Sequence, residues 1–221
     1  FSKNLKRGRQ WTIELYHQHL FDVPVSTGEE EVFSVLNLTE FTDFVGVDLS
    51  DQGTGRNYGI DLFFQKFWKG GRFATASTSL YRSRFAGVDG EERSTRWDGG
   101  YLINISSGRE RVKLNKKGKT RTWGNSFHLM WMGGFRERPI NPALSMELGR
   151  TAYQFPSDFS RQLSDYYRLD FRTYLKWESS KGSSLLSLDI QNLTSRENEA
   201  FRYFDQSTMS VRMRKQLGFI P

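Results

Sequence analysis

The sequence predicts an all-β fold, an antiparallel up-and-down meander of about eight long strands. Three observations carry that expectation. Apolar residues recur with a period of two rather than 3.6. The alternating runs extend for about 10–14 residues, longer than the ~5–6 usual for a soluble sheet. The connections alternate between tight, Gly-containing turns and long loops.

The first strand is expected over 10–21, where Trp11, Ile13 and Leu15 alternate with Thr12, Glu14 and Tyr16. The second, 56–68, alternates Tyr58, Ile60, Leu62 and Phe64 with Asn57, Gly59, Asp61 and Gln65. The third, 72–85, places Phe73 and Tyr81 on one face and Ala74, Ala76 and Leu80 on the other, leaving its apolar face undecided. The fourth, 98–112, carries Tyr101, Ile103 and Ile105 in one phase. The fifth, 121–135, carries Trp123, Phe127, Leu129 and Trp131 against Gly124, Ser126 and His128. The sixth, 166–178, sets Tyr167, Leu169, Phe171, Leu175 and Trp177 against Arg168, Asp170, Arg172 and Lys176. The seventh, 184–194, sets Leu186, Leu188 and Ile190 against Ser187, Asp189 and Gln191, and an eighth is expected over 209–221. Each alternation gives one apolar and one polar face.

Tight turns are expected at 69–72, 115–119 and 179–182, and long loops at about 22–55, 86–97, 136–165 and 195–208. The sixth and seventh strands allow a register to be set. Pairing Arg172 with Asp189 and Asp170 with Gln191 also pairs Phe171 with Ile190 and Leu175 with Leu186. Charge then meets charge on one face and apolar meets apolar on the other.

The 221 residues carry a formal net charge of +7, 15% aromatics and no cysteine. The absent cysteine excludes a disulfide framework, a thiolate zinc site and a cysteine nucleophile. The aromatic load is too high for a disordered tail. No apolar run reaches the ~18 residues of a membrane-spanning helix. Strand faces that end in aromatics, with short turns on one side and long loops on the other, are the pattern of an outer-membrane barrel. No signal peptide is visible before Trp11, and both ends read as cuts through a longer protein.

Three stretches, in consistent order from about residue 10 to 221, are similar to the TonB-dependent outer-membrane receptors, especially those of Bacteroidota. They are Leu20–Val25, Gly53–Leu62 (G-T-G-R-N-Y-G-I-D-L), and Asp165–Phe171 together with Leu188–Thr194 and the closing Gln216–Pro221. The resemblance implies that the chain is the C-terminal portion of a 22-stranded transmembrane barrel. The plug domain, the earlier strands and the end of the last strand would lie outside it. It also implies uptake of a nutrient ligand of unresolved class across a Gram-negative outer membrane, with no catalytic, cofactor-binding or metal residues. The partners implied are outer-membrane lipid, the receptor's own plug domain, the TonB complex and a surface lipoprotein, not nucleic acid. Glu14, Tyr16, Gln18, Arg168, Asp170, Arg172, Asp189 and Gln191 would face the lumen. The extracellular loop 136–165 offers Arg136, Arg138, Glu147, Arg150, Tyr153 and Phe155 for a ligand. The competing expectation is a soluble basic β-barrel or sandwich, whose apolar faces would pack inward and which would bind a ligand or nucleic acid.

Other chemistry is thinly represented. His17 and His19 share a strand face and two imidazoles can hold zinc or copper, but a third ligand would have to come from Asp22 or Glu14. No G-x-S-x-G elbow is present, and Thr75–Ser79 reads as plain strand. Glu29–Glu31 and Glu91–Glu92 read as solvated charge rather than a glycosidase pair. Lys113, Lys116, Lys117, Lys119 and Arg121 cluster at a tight turn, a footprint for nucleic acid or for an anionic membrane surface. The sequons at Asn37 and Asn192 carry no weight in a bacterial outer membrane.

Overall fold

The computed structural model describes residues 1–5, 8–28, 32–39, 46–115, 118–155 and 158–219. In chain order the strands are β1 (Ser2–Leu5), β2 (Arg9–Ser26), β3 (Leu49–Trp68), β4 (Arg72–Ala86), β5 (Glu92–Ser94), β6 (Tyr101–Leu114) and β7 (Thr120–Met132). There follow β8 (Arg136–Glu137), helix α1 (Pro142–Leu148), β9 (Arg161–Gln162), β10 (Tyr166–Ser179), β11 (Gly182–Ile190), β12 (Glu199–Asp205) and β13 (Ser210–Lys215).

Eight strands form one antiparallel path in the order β1-β2-β3-β4-β6-β7-β10-β11, with β5 attached to β4. Among the described residues β1 and β11 are not paired to each other, so the sheet is open with two edges. Seven of the eight expected strands follow one another in this meander in the expected order. The tight connections at 69–71, 115–119 and 180–181 all lie at one end, with the long ones at the other. Gly70 and Gly71 take φ of 86° and 73°, and a Cβ on Gly71 would sit 2.1 Å from the Glu110 carbonyl. That turn therefore requires glycine twice over.

Two departures from expectation are large. The first long loop is shorter than 22–55, because β2 and β3 keep pairing to Ser26 and Leu49 through irregular steps at Leu20/Val23 and Val23/Val25. Asp22, Pro24, Gly53 and Gly55 look like turn residues, yet Asp22 and Pro24 fall at the bulges, while Gly53 and Gly55 stay in the ladder opposite Val23 and Leu20. Asp22 takes φ of 54°, and a Cβ on Gly53 would lie 2.3 Å from Val25. A bulge accommodates a residue out of phase without ending the ladder.

The segment 209–221 is not a strand of the meander. Ser210–Lys215 pairs with Glu199–Asp205 in a separate two-stranded sheet, and residues 216–219 are not in a strand. Ile220 and Pro221 lie outside the described residues. The eighth strand of the meander is instead β1, too short for its periodicity to register in the sequence.

The hairpin register is as expected: Arg172 faces Asp189, Phe171 faces Ile190 and Leu175 faces Leu186. Followed across all the ladders, the registers sort the sheet into two faces. One holds Trp11, Ile13, Leu15, Ile60, Leu62, Ile103, Ile105, Phe127, Leu129, Leu169, Phe171, Leu186 and Leu188. Ladder partners also decide the third strand. Leu80 pairs with Ile60 and Ala76 with Ile105, so Ala74, Ala76 and Leu80 join the apolar face, and Phe73 and Tyr81 point to the other.

Among the described residues the buried apolar side chains are Val23, Val25, Phe85, Ile140, Ala152, Leu163 and Phe204. All sit at the loop end of the strands or in the loops. The middle of the meander has no buried apolar side chain. Leu15 is 77% exposed, Leu80 49% and Leu186 66%.

Candidate functional site

The long-loop end is held by Asp98, whose side chain is fully buried. Its carboxylate lies 3.6 Å from Arg136, 3.7 Å from Arg84 and 3.8 Å from Arg82. It accepts hydrogen bonds from the Ser83 amide (3.2 Å) and the Ser94 hydroxyl (2.9 Å). A buried carboxylate is tolerable only when so surrounded. The result ties loop 87–100 and loop 133–165 to the top of β4.

Loop 27–48 is fastened alongside. Asn37, buried, accepts from the Arg96 amide at 2.9 Å, and the Trp97 indole N–H donates to the Leu36 carbonyl at 2.9 Å. Within loop 133–165, α1 begins where the Asn141 side chain accepts from the Leu144 amide and Pro142 occupies the first turn. It ends at Gly149, left-handed with φ of 62°. These are the usual stop and start signals of a helix. The Ser145 hydroxyl is fully buried, donates to the Asn141 carbonyl at 2.6 Å and accepts from the Ala152 amide at 3.0 Å.

The hairpin β12–β13 is bound to this loop by an ion network. Glu137 pairs with Arg202 and with Arg161 (3.7 Å), and Arg202 also reaches Glu199 (3.8 Å). The Ser164 amide donates to the Glu199 carboxylate at 2.8 Å and holds that carboxyl below its ordinary range. At the tip of loop 87–100, Arg93 grips Asp89 through two hydrogen bonds and lowers the Asp89 pKa.

Between loop 27–48, loop 133–165 and β12 opens a cleft of about 660 Å³. Its walls include Phe33, Arg96, Arg138, Tyr153, Phe159 and Phe201. The Arg138 guanidinium lies 3.9 Å from the centre of the Tyr153 ring. Cations stacked on aromatic walls suit a planar or anionic polar ligand.

Of the six loop residues singled out from sequence, Arg138 and Tyr153 line this cleft. Arg136 is engaged elsewhere, donating to the Asp98 carbonyl and to the Phe159 and Ser160 carbonyls. Glu147 lies exposed on α1, and Arg150 and Phe155 are exposed outside the cleft walls. Asn37, Arg96, Phe159 and Phe201 were not foreseen. They come from four distant segments, and no local spacing joins them.

The eight residues assigned to the polar strand face share one side of the sheet, with Gln191 just past the end of β11. Arg168 pairs with Asp170 at 3.0 Å, His128 stands 3.6 Å from Asp170, and Arg172 pairs with Asp189 at 3.4 Å. Gln18 accepts from Asn57 at 3.0 Å, and Glu14 faces Asp61. Tyr16 lies over Gly59 and Tyr174 over Gly124, filling the space a side chain would take. Aromatic cover of a strand glycine restores packing that the glycine lacks.

The remaining sequence candidates are dispersed. His17 and His19 share a face, but Glu14 is on the opposite one, because it is one residue out of phase. His19 stacks on Phe21 at 4.3 Å. Among the described residues no three His, Asp or Glu side chains gather to hold a metal. Thr75–Ser79 is the middle of β4, Glu91 pairs with Arg93 and Glu92 with Arg56. Glu29–Glu31, Lys116 and Lys117 lie outside the described residues. Asn37 and Asn192 are buried, 5% and 3% exposed, and the Asn192 side-chain amide donates to the Arg196 and Gly218 carbonyls.

No known protein family, no curated protein and no solved structure matches this chain.

Proposed function

We propose that this chain is part of the wall of a transmembrane β-barrel in a Gram-negative outer membrane, the C-terminal portion of a TonB-dependent receptor for nutrient uptake. The observation that carries the reading is the two-faced sheet. Trp11, Ile13, Leu15, Leu80, Ile105, Phe127, Leu186 and Leu188 occupy one face, each at least 40% exposed, and no other layer of the described chain covers them. Leaving a whole apolar side chain in water costs roughly 1.5–3 kcal/mol relative to full burial, and each of these partly exposed ones costs a share of that. A soluble chain does not sustain a contiguous apolar face of that size, and lipid removes the cost. The opposite face carries Glu14, Asp61, Asp170, Arg172 and Asp189, the chemistry of a wet lumen.

Borders and loops support the same reading. Tyr58, Tyr101, Trp131 and Tyr167 edge the apolar face toward the long loops, and Trp11, Trp68, Trp123 and Trp177 edge it toward the turns. Two aromatic girdles flank the lipid-facing band of such barrels. The open edges at β1 and β11 would pair with further strands of the wall. The loop-end cleft is then the extracellular place for a ligand, with Arg138 and Tyr153 as its contacts. No bond-making residue is required, because energised uptake changes no covalent bond in the ligand.

The test is envelope fractionation of the full-length protein, followed by gels of boiled and unboiled samples. Outer-membrane location with heat-shifted mobility is the expected result. A soluble protein indifferent to boiling overturns the reading and makes the apolar face a protein-packing surface.

A further inference from the structure

We infer that the turn-side border of the apolar face is a binding belt for the phosphate headgroups of anionic glycerophospholipids. The inference rests on the membrane reading above and goes beyond it by naming the lipid class. Three observations carry it.

The acidic side chains are segregated by face. The ladder registers put Arg9, Lys66, Arg72, Arg109, Arg111, Lys113 and Arg121 on the apolar face, all near the tight turns. Over the same strands Glu14, Asp61, Glu110, Asp170, Glu178 and Asp189 are all on the polar face. Random solubilising charge would mix both signs on both faces.

The cations directly oppose one another. Arg9 pairs across the ladder with Lys66, Arg72 with Arg109, and Lys113 with Arg121. Like charges at directly opposed positions destabilise a sheet. Arg109 Nε is buried without a hydrogen-bond partner. Anions seated between these pairs would reverse the sign of that interaction.

The cations are interleaved with tryptophan. Lys66 lies 4.5 Å from the Trp68 ring, Arg111 5.7 Å from Trp123 and Arg121 6.0 Å from Trp177. A cleft of about 600 Å³ opens beside Lys113, Arg121, Trp177 and Ser184. Its one carboxylate, Glu178, is paired with Lys176 at 2.6 Å. Indole rings at headgroup depth with basic side chains reaching toward phosphate are what an anionic leaflet selects.

The experiment uses the full-length protein in non-ionic detergent, given equal amounts of phosphatidylglycerol and phosphatidylcholine, with bound lipid counted by native mass spectrometry. The wild type is expected to retain phosphatidylglycerol preferentially, and the preference is expected to shrink at high salt. The triple variant Arg109→Gln, Arg111→Gln, Lys113→Gln is expected to bind that lipid roughly a hundredfold more weakly. Arg109→Lys with Arg111→Lys should keep the preference, as should Arg172→Gln on the polar face. Equal binding of the two lipids, or an unchanged triple variant, overturns the inference. So does displacement of the lipid by millimolar inorganic phosphate, which would mark a simple anion site. Resistance of the protein to alkaline extraction from membranes is scored in parallel. An alkali-resistant protein without lipid preference defeats the belt alone, whereas an extracted one defeats the barrel reading as well.

Discussion

Removing the Asp98 carboxylate should loosen the whole loop end while sparing the sheet. In Asp98→Ala the guanidinium groups of Arg82, Arg84 and Arg136 lose their common anion, and the Ser83 amide and Ser94 hydroxyl lose an acceptor. Breaking a buried ion pair by deleting one partner costs ~3–5 kcal/mol. Here the arginine side chains are 48%, 27% and 17% exposed, so water rescreens part of the loss. The lower end, about 3 kcal/mol, is therefore expected. At ~1.4 kcal/mol per decade, that is roughly a hundredfold increase in local opening. Amide hydrogen exchange reads it directly. The amides of Ser83, Thr95 and Arg136, bonded to Asp98, Ser83 and Arg96, should exchange about a hundredfold faster. The amides of the β7–β10 ladder should not change. Asp98→Asn keeps an acceptor and should show a smaller effect. Exchange at Thr95 and Arg136 within twofold of wild type in Asp98→Ala would refute the assignment of Asp98 as the tie between these loops.

Three further outcomes are expected. A Cβ at Gly124 would fall 2.3 Å from the Tyr174 ring, so Gly124→Val should destabilise by ~1–3 kcal/mol. Adding Tyr174→Ala should recover part of that loss in a double-mutant cycle of urea unfolding. The wild type has no cysteine, so Arg172→Cys with Asp189→Cys should oxidise to an internal crosslink. Arg172→Cys with Leu188→Cys, on opposite faces, should not, and the reverse pattern on a reducing versus non-reducing gel would refute the register. Glu199 and Asp89 have folded pKa values below their ordinary 4.5 and 3.8. Their contribution to stability is thus complete above those values and is lost as pH falls through the lower folded ones. Exchange at the Ser164 amide, relative to its intrinsic rate, should accelerate as pH falls below 4.5 and through the lower folded value, and acceleration on going to high pH beyond the intrinsic rate would contradict that sign.

Much of the sheet was legible because its causes are local. Period-two alternation follows from the pleat, so Ile13, Leu62, Ile105, Leu129 and Phe171 announce both strand and face without tertiary information. The β10–β11 register was legible for the same reason, since a short turn and two amphipathic faces admit few pairings. The Gly-rich turns were legible from the positive φ that Gly70 and Gly71 supply. The phase of β4 was not, because Ala74, Ala76 and Thr78 are too small and mild to mark a side. Only Leu80 meeting Ile60 across the ladder decided it. The same limit hid the bulges at Val23–Val25 and the departure of Ser210–Lys215 into its own hairpin, where partners rather than propensities choose the pairing.

At the loop end the sequence marked Arg138 and Tyr153 but not what they converge with. Asp98 looks like any loop aspartate until Arg82, Arg84 and Arg136 converge on it. The cleft needs Asn37, Arg96, Arg138, Tyr153 and Phe201, which line one space only because loop 27–48, loop 87–100, loop 133–165 and β12 are packed side by side. Chain patterning by itself determined strands, turns and the two chemically opposed faces, because side-chain direction along a strand is fixed every second residue. Long-range packing alone decided which cations face one another, which carboxylate is buried and where a ligand could enter, because those depend on residues brought together across tens of positions.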